Sequence, residues 1–366
     1  MNDITFFKAF NPPTTNRRIV RKINNIISSG QFICGKHVKF FETAFAKYHQ
    51  VKYCTALNSG TAALHLALLA LNIGHPDEVI LPSHTFFATA EAISLVGAKP
   101  VFADIDSKTM TIDPQDVESK INSHTKAIIP VHLYGQLAAI KKLKKVANKH
   151  GLFLIEDAAQ AHGARLNQQK AGTFGQIGCF SFYPTKNLGA FGEAGATITN
   201  SKKLDQKIKM LRDHGQEKKY FHRFIGLNYR LNEIQAVVLK EKLFLLDLWV
   251  KKRQQIASWY QADLNHLDHI ILPQSKKPQH HAYHLFVIRV KNRNQLQNYL
   301  SRKNISTMIH YPIPIHHQPP YKKIYSKLKL PHTDTVVSQI LSLPLYPQLK
   351  RHQVFKITNT IKSFYT

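Results

Sequence analysis

At 366 residues with 43% hydrophobic side chains, the chain has room for two domains and a sizeable core, and no low-complexity segment or 20–50-residue repeat interrupts it. Fifty Lys and Arg against 22 Asp and Glu give a formal charge of +28, the footprint of a nucleic-acid binder. Yet the basic clusters (Arg17-Arg18, Lys141-Lys142-Lys144-Lys145, Lys218-Lys219, Lys251-Lys252-Arg253, Lys322-Lys323) are dispersed and fall mainly on polar helix faces, so a solvated surface is expected and no nucleic acid. Cys34, Cys54 and Cys179 are an odd, sparse set that fits a reducing compartment. Neither they nor the pairs His280-His281 and His316-His317 have partners at ligand spacing, so no metal is expected. The start, Met1-Asn-Asp-Ile-Thr-Phe-Phe-Lys8, lacks a leader pattern, and no apolar run approaches a membrane span, so a cytoplasmic protein with no membrane partner is expected.

In chain order, strand-like runs at Lys52–Leu57, Glu78–Leu81, Val101–Ile105, Ala127–His132 and Leu152–Glu156 alternate with helical stretches near 60–71, 86–95, 114–121 and 137–149. That alternation predicts an α/β protein with a mainly parallel sheet flanked by helices. Two further strands, Cys179–Tyr183 and Ala196–Thr199, complete it. A long amphipathic helix is expected from about Asn232 to Leu264, with Ile234, Val237, Val238, Leu245 and Leu248 on one side and Glu241 interrupting. Beyond it, strands at His284–Val290 and near Thr307–His310, a Pro-rich loop from Pro312 to Pro320, and helices near 333–342 and 350–363 predict a smaller α+β domain. The expected division is 1–245 and 246–366.

The chemistry is concentrated in Lys186, on a loop after the apolar run Cys179–Tyr183, and in Asp157, at the end of the strand-like Phe153-Leu-Ile-Glu. A pyridoxal phosphate enzyme needs an amine to bond the cofactor aldehyde and a carboxylate to keep the pyridine nitrogen protonated. In a chain this rich in lysine the pairing alone is commonplace, but strand ends are where open α/β sheets hold ligands. Val51–Ser59, then Gly60-Thr61 opening the apolar stretch Ala62–Leu71, read as strand, tight turn and helix. Such a helix start binds phosphate, with Gly60 permitting close approach, and Ser181 can add a hydroxyl.

With these residues in view, the chain resembles the DegT/DnrJ/EryC1/StrS aminotransferases, fold-type-I pyridoxal phosphate enzymes acting mostly on nucleotide-linked keto sugars. The resemblance rests on Ser29-Gly-Gln-Phe-Ile-Cys-Gly35, Asn58-Ser-Gly-Thr-Ala-Ala-Leu64, Pro82-Ser-His-Thr-Phe-Phe-Ala-Thr89, Ile129-Pro-Val-His-Leu-Tyr-Gly135, Glu156-Asp-Ala-Ala-Gln160, Gly226-Leu-Asn-Tyr-Arg230 and His310-Tyr-Pro-Ile-Pro-Ile-His316, in the family's order. It implies that Lys186 bonds the cofactor, Asp157 contacts the ring nitrogen, Gln160 the ring hydroxyl, and Phe86 the ring face. It further implies that Asn228 reaches the phosphate of the neighbouring subunit and Arg230 lies near the substrate's anionic groups, making a homodimer with shared sites. His310, Tyr311 and His316 match a segment near the sugar.

The resemblance also implies transfer of an amino group from L-glutamate to a nucleotide-linked keto sugar, in a route to deoxyamino sugars such as those of lipopolysaccharide. The stretch Tyr183-Pro-Thr-Lys-Asn-Leu-Gly-Ala-Phe-Gly-Glu193 is closer to members that aminate carbon 3 of a dTDP- or UDP-linked hexose than to those acting at carbon 4. Carbon 4 and cyclitol substrates remain alternatives within the family, and a non-catalytic basic or regulatory protein lies outside it. One departure is Glu193-Ala194-Gly195, where relatives commonly carry two glycines; alanine there restricts positive φ.

Overall fold

Apolar runs of five residues dominate the centre of the computed structural model, which describes residues 3–8, 11–274 and 279–365. The strands in chain order are β1 (Tyr53–Leu57), β2 (Glu78–Pro82), β3 (Lys99–Ala103), β4 (Thr125–Ile128), β5 (Phe153–Asp157), the short hairpin β6 (Arg165–Leu166) and β7 (Gln169–Lys170), then β8 (Ile177–Ser181) and β9 (Gly195–Thr199). Seven of them form one sheet in the order β1-β9-β8-β5-β4-β2-β3. Only β9 runs against its neighbours. Successive residues enter opposite cores: Leu154 and Phe180 join one buried cluster, Ile155 and Cys179 another. A strand buried on both faces reads as an unbroken apolar run, as these do.

The helices are α1 (Pro13–Ser29), α2 (Lys36–His49), α3 (Gly60–Ala70), α4 (Ala88–Leu95), α5 (Pro114–Ser119), α6 (Ile140–Lys149), α7 (Lys202–Leu211), α8 (Glu233–Leu243) and α9 (Leu246–Leu264). One core face is closed by α3, α4 and α7 through Leu66, Ile93 and Ile208, and the other by α2, α6 and α8 through Phe41, Leu143 and Leu239. The expected single helix over 232–264 is two helices, broken at Phe244–Leu245. Glu241 does not interrupt it: buried, it accepts from Arg18 Nε at 2.7 Å and Lys22 Nζ at 2.5 Å and so fastens α1 to α8. α8 is buried on most sides because α1 and α2 sandwich it, while Leu248, expected on the apolar side, is 49% exposed.

The C-terminal sheet pairs Phe286–Val290 with Ile270–Ile271 on one side and Ile340–Leu343 on the other, both antiparallel. Its core of Tyr260, Phe286, Ile288, Leu343 and Ile357 also takes in Ile4, which bridges to Ile305. Near Thr307–His310 there is only one bridge, Met308 to Ser342, in place of the expected strand. The expected helix over 333–342 stops at Gln339, because the next four residues pair with Phe286–Arg289.

Because β9 alone is reversed, the carboxyl ends of β1, β2, β5 and β8 and the start of β9 lie on one edge. That edge carries Ser59-Gly60, Ser83–Phe86, Asp157, Ser181 and Gly195.

Candidate active site

A cavity of about 570 Å³ opens on this edge, and Gly60, Thr61, Phe86, Asp157, Gln160, Ser181, Lys186, His310 and Tyr311 all line it. Asp157, the last residue of β5, is buried and accepts from Thr89 Oγ1 at 2.9 Å and from the Ala159 N–H at 3.1 Å. Burial pushes its carboxyl above the usual range, and the two hydrogen bonds, Lys186 and His132 act in the opposite sense. Such a carboxylate is poised to take a positive partner. Lys186 follows β8 on a turn closed by its own N–H to the Tyr183 carbonyl, 2.8 Å. Burial lowers its ammonium to about 8, against the pull of Asp157 and Glu193, which brings a neutral amine within reach of physiological pH.

Ser59 caps α3 by accepting the Ala62 N–H at 3.0 Å, which leaves the Gly60 and Thr61 N–H groups at the head of the helix without intrahelical acceptors. A Cβ on Gly60 would stand 2.6 Å from Ser181 Cβ and 3.1 Å from Ser181 Cα. The helix start and the end of β8 therefore meet at a distance only glycine permits. Two unpaired N–H donors, a hydroxyl at Ser181 and the positive helix end make a cradle of phosphate size. Gly195 sits under the same turn, where a Cβ would meet the Ser59 carbonyl oxygen at 2.1 Å. The glycine requirement thus falls on 195, whereas Ala194 is a fully buried core methyl with no positive φ.

Gln160 is held at both ends of its amide: Oε1 accepts the Tyr134 N–H at 2.7 Å and Nε2 donates to Tyr311 Oη at 3.0 Å. One Nε2 hydrogen remains for a ligand. Phe86 is 55% exposed although the preceding Thr85 is buried; its ring lies 5.5 Å from that of Tyr311. A partly exposed aromatic ring on the cavity wall is suited to a flat ligand. His310 bonds Ser342 Oγ at 2.9 Å and burial lowers it to about 4, so it is neutral at pH 7.

Asn228, Arg230 and His316 do not line this cavity. Arg230 bonds Asn228 Oδ1 at 3.0 Å and Asp213 Oδ1 at 3.1 Å, and its backbone bridges to Leu57 at the end of β1. His316 is buried against Ser83, with Nδ1 2.7 Å from Oγ.

Four residues escaped the sequence reading. Thr89 clamps Asp157. Arg253, expected on a solvated basic cluster, is 3% exposed and gives Nη1 to the carbonyls of Tyr283, His284 and Leu345, which fixes His284 at the cavity wall. His132 and Glu156 form a fully buried pair at 2.9 Å behind Asp157, with Glu156 also accepting three backbone N–H groups from 172–175. The only signal for Thr89 was its place four residues after Thr85 on a helix start; for Arg253 there was none.

The arrangement fits pyridoxal phosphate: an amine of lowered basicity, a buried carboxylate, and a phosphate cradle opened by Gly60 around one cavity. Fold and site define a pyridoxal phosphate-dependent aminotransferase. The model of the DegT/DnrJ/EryC1/StrS aminotransferase family matches residues 13–362, and the chain belongs to that family. It is 42% identical to a dTDP-3-amino-3,6-dideoxy-alpha-D-galactopyranose transaminase of Aneurinibacillus thermoaerophilus, covering 95% of both chains. It is 41% identical to a pleiotropic regulatory protein of Geobacillus stearothermophilus over 95% of this chain and 94% of that one. Among solved structures, NtdA of Bacillus subtilis with bound cofactor PMP superposes with a TM-score of 0.91 at 31% identity, covering 98% of this chain and 86% of that one.

Proposed function

We propose that this protein moves the amino group of L-glutamate to carbon 3 of a keto-hexose carried on dTDP or UDP, producing a 3-amino sugar for surface polysaccharide or glycoside assembly. The observation that carries the reading is Lys186 and Asp157 on one cavity with the Gly60 cradle. Carbon 3 is favoured by the Aneurinibacillus relative and by the Lys186 loop. The intact Lys186 and Asp157 favour catalysis over the regulatory role suggested by the Geobacillus relative's name.

Bound here, pyridoxal phosphate supplies an aldehyde for amines and a ring that withdraws electrons from the substrate α-carbon. The Gly60 and Thr61 N–H groups and Ser181 Oγ would hold its phosphate, Phe86 would cover the ring, and Gln160 has a spare N–H for the ring hydroxyl. Asp157 keeps the ring nitrogen protonated; with both oxygens already held, it pays little reorganisation when it does so. Freed when the amino group of L-glutamate takes its place, Lys186 Nζ would accept the proton of the substrate α-carbon and, in the reverse direction, give it back, a task suited to an amine titrating near 8. The second half runs the same transfers in reverse on the keto sugar, with neutral His310 and Tyr311 as hydrogen-bonding groups facing it.

Asn228 and Arg230 act in the partner's site of a cytoplasmic homodimer. Support comes from their position outside their own cavity and from the apolar surface beside them, with Ile225 fully exposed and Tyr220 83% exposed. Residues 1–245 carry the cofactor and 246–366 form the smaller domain. The test is to give the holoenzyme L-glutamate with a 3-keto or a 4-keto nucleotide sugar. Amination of the 3-keto compound is expected, and amination of the 4-keto compound alone rejects the assignment.

A further inference from the structure

Outside the cofactor cavity, the turn Ile315–His317 and the helix Pro331–Gln339 bring His316, His317 and Asp334 together. One ring nitrogen of His316, one of His317 and one Asp334 oxygen all lie within 4.8 Å of one another. His317 Nε2 is 3.1 Å and His316 Nε2 3.7 Å from the same oxygen, Oδ1. The histidine pair has no carboxylate at ligand spacing along the chain; folding supplies one from the helix Pro331–Gln339.

An ordinary His–Asp ion pair accounts for His317 but not for His316. His316 is 1% exposed, and among the described residues its Nε2 has no hydrogen-bond partner, since 3.7 Å is too long for one. Buried polar atoms are nearly always paired, so an idle ring nitrogen aimed at a carboxylate points to a missing third party. The other ring nitrogen completes the pattern. Nδ1 lies 2.7 Å from Ser83 Oγ, and in the tautomer that gives Nδ1–H to that oxygen the lone pair of Nε2 is directed at the cluster, as an outer hydrogen bond does for metal-ligating histidines. Asp104 adds a second negative charge nearby: it accepts from Thr333 and the His332 N–H and stands 3.8 Å from His332 Nδ1.

We propose that His316, His317 and Asp334 bind one divalent transition cation, Zn²⁺ foremost, with water in the remaining position. Bonds of about 2.0–2.1 Å in a tetrahedron place ligand atoms about 3.3 Å apart, so small side-chain rotations from 3.1 and 3.7 Å suffice. Two imidazoles and one carboxylate suit Zn²⁺, Co²⁺, Ni²⁺ or Cu²⁺ and not Mg²⁺ or Ca²⁺. The exposed edges of His317 and Asp334 give the ion its entry. Once bound, it ties the helix Pro331–Gln339, through His316 and Ser83, to the loop that carries Phe86.

The site uses none of the residues assigned to the cofactor, so its test stands apart from the transaminase reading. Dialysed holoenzyme is titrated with Co²⁺, read by ligand-field absorption at wavelengths beyond the cofactor band, and then with Zn²⁺ in a calorimeter. The expected result is one Co²⁺ per chain, displaced by Zn²⁺ and untouched by excess Mg²⁺. His317→Ala and Asp334→Asn, both at exposed positions, should each weaken binding by about 100-fold while keeping the cofactor band, whereas His150→Ala, an exposed histidine beside Glu118, should not. Absence of stoichiometric Co²⁺ uptake, or a His317→Ala variant that binds as tightly as the parent, overturns the proposal.

Discussion

Replacing Gly60 with alanine probes the phosphate cradle without touching any titratable group. The new methyl would sit 2.6 Å from Ser181 Cβ, 3.1 Å from Ser181 Cα and 3.2 Å from Ser181 Oγ, about 1 Å inside ordinary carbon contact. These atoms are at or next to the backbone of β8, so relief requires the head of α3 to move away from the strand. Overpacking of this kind costs about 1–3 kcal/mol. If the strain is released by opening the cradle, cofactor affinity falls by about 5-fold to 150-fold. The structure names its own remedy: Ser181→Gly removes the contacts at 2.6 and 3.2 Å and leaves only Cα at 3.1 Å. The double variant should therefore recover most of the folding stability lost in Gly60→Ala, while its affinity stays low because the Ser181 hydroxyl is gone. Titration of cofactor-free protein with pyridoxal phosphate gives the affinities, and melting curves without cofactor give the stabilities. A Gly60→Ala variant that binds the cofactor as tightly as the parent would refute the cradle.

Three further outcomes follow from the same geometry. Lys186 is lowered to about 8, so the neutral amine becomes available as pH rises through that value; the rate at which cofactor-free protein captures pyridoxal phosphate should climb toward pH 8 and then level, and a rate still climbing at pH 10 contradicts the burial argument. Asp157→Asn keeps the size of the side chain but removes the charge that holds the ring nitrogen protonated; kcat should drop by about 100-fold to 1000-fold with the cofactor still bound, and near-parental kcat would remove Asp157 from the mechanism. Mixing inactive Lys186→Ala and Arg230→Ala chains should restore about a quarter of parental activity, because half the reassembled dimers would each carry one intact site. No recovery after confirmed subunit exchange would place Arg230 in its own chain's site.

The parts of the site closest to legible in sequence were those where chemistry sits at the end of an apolar strand. Asp157 after Phe153-Leu-Ile-Glu and the Ser59-Gly60-Thr61 turn after Val51–Asn58 are local signals, because strand end, turn and helix start are contiguous. What sequence periodicity missed was decided by distant partners. The segment Ile340–Leu343 follows a helix without a breaker and becomes a strand only because Phe286–Arg289 offers an edge to pair with. Phe244–Leu245 breaks the expected long helix although no Gly or Pro marks it. Arg253 reads as one of three surface cations, yet three carbonyls from two other segments close over it. Asp334 approaches His316 and His317 only once its helix packs on Asp104.

The most direct measurement is the absorbance spectrum of the purified holoenzyme before and after addition of L-glutamate. The account predicts a visible cofactor band that is lost on addition of L-glutamate and replaced by the shorter-wavelength band of the amino form, and a Lys186→Ala variant that does not make this conversion at a catalytic rate. A parental protein that shows no band even after pyridoxal phosphate is supplied, or a band that L-glutamate leaves unchanged, would contradict it.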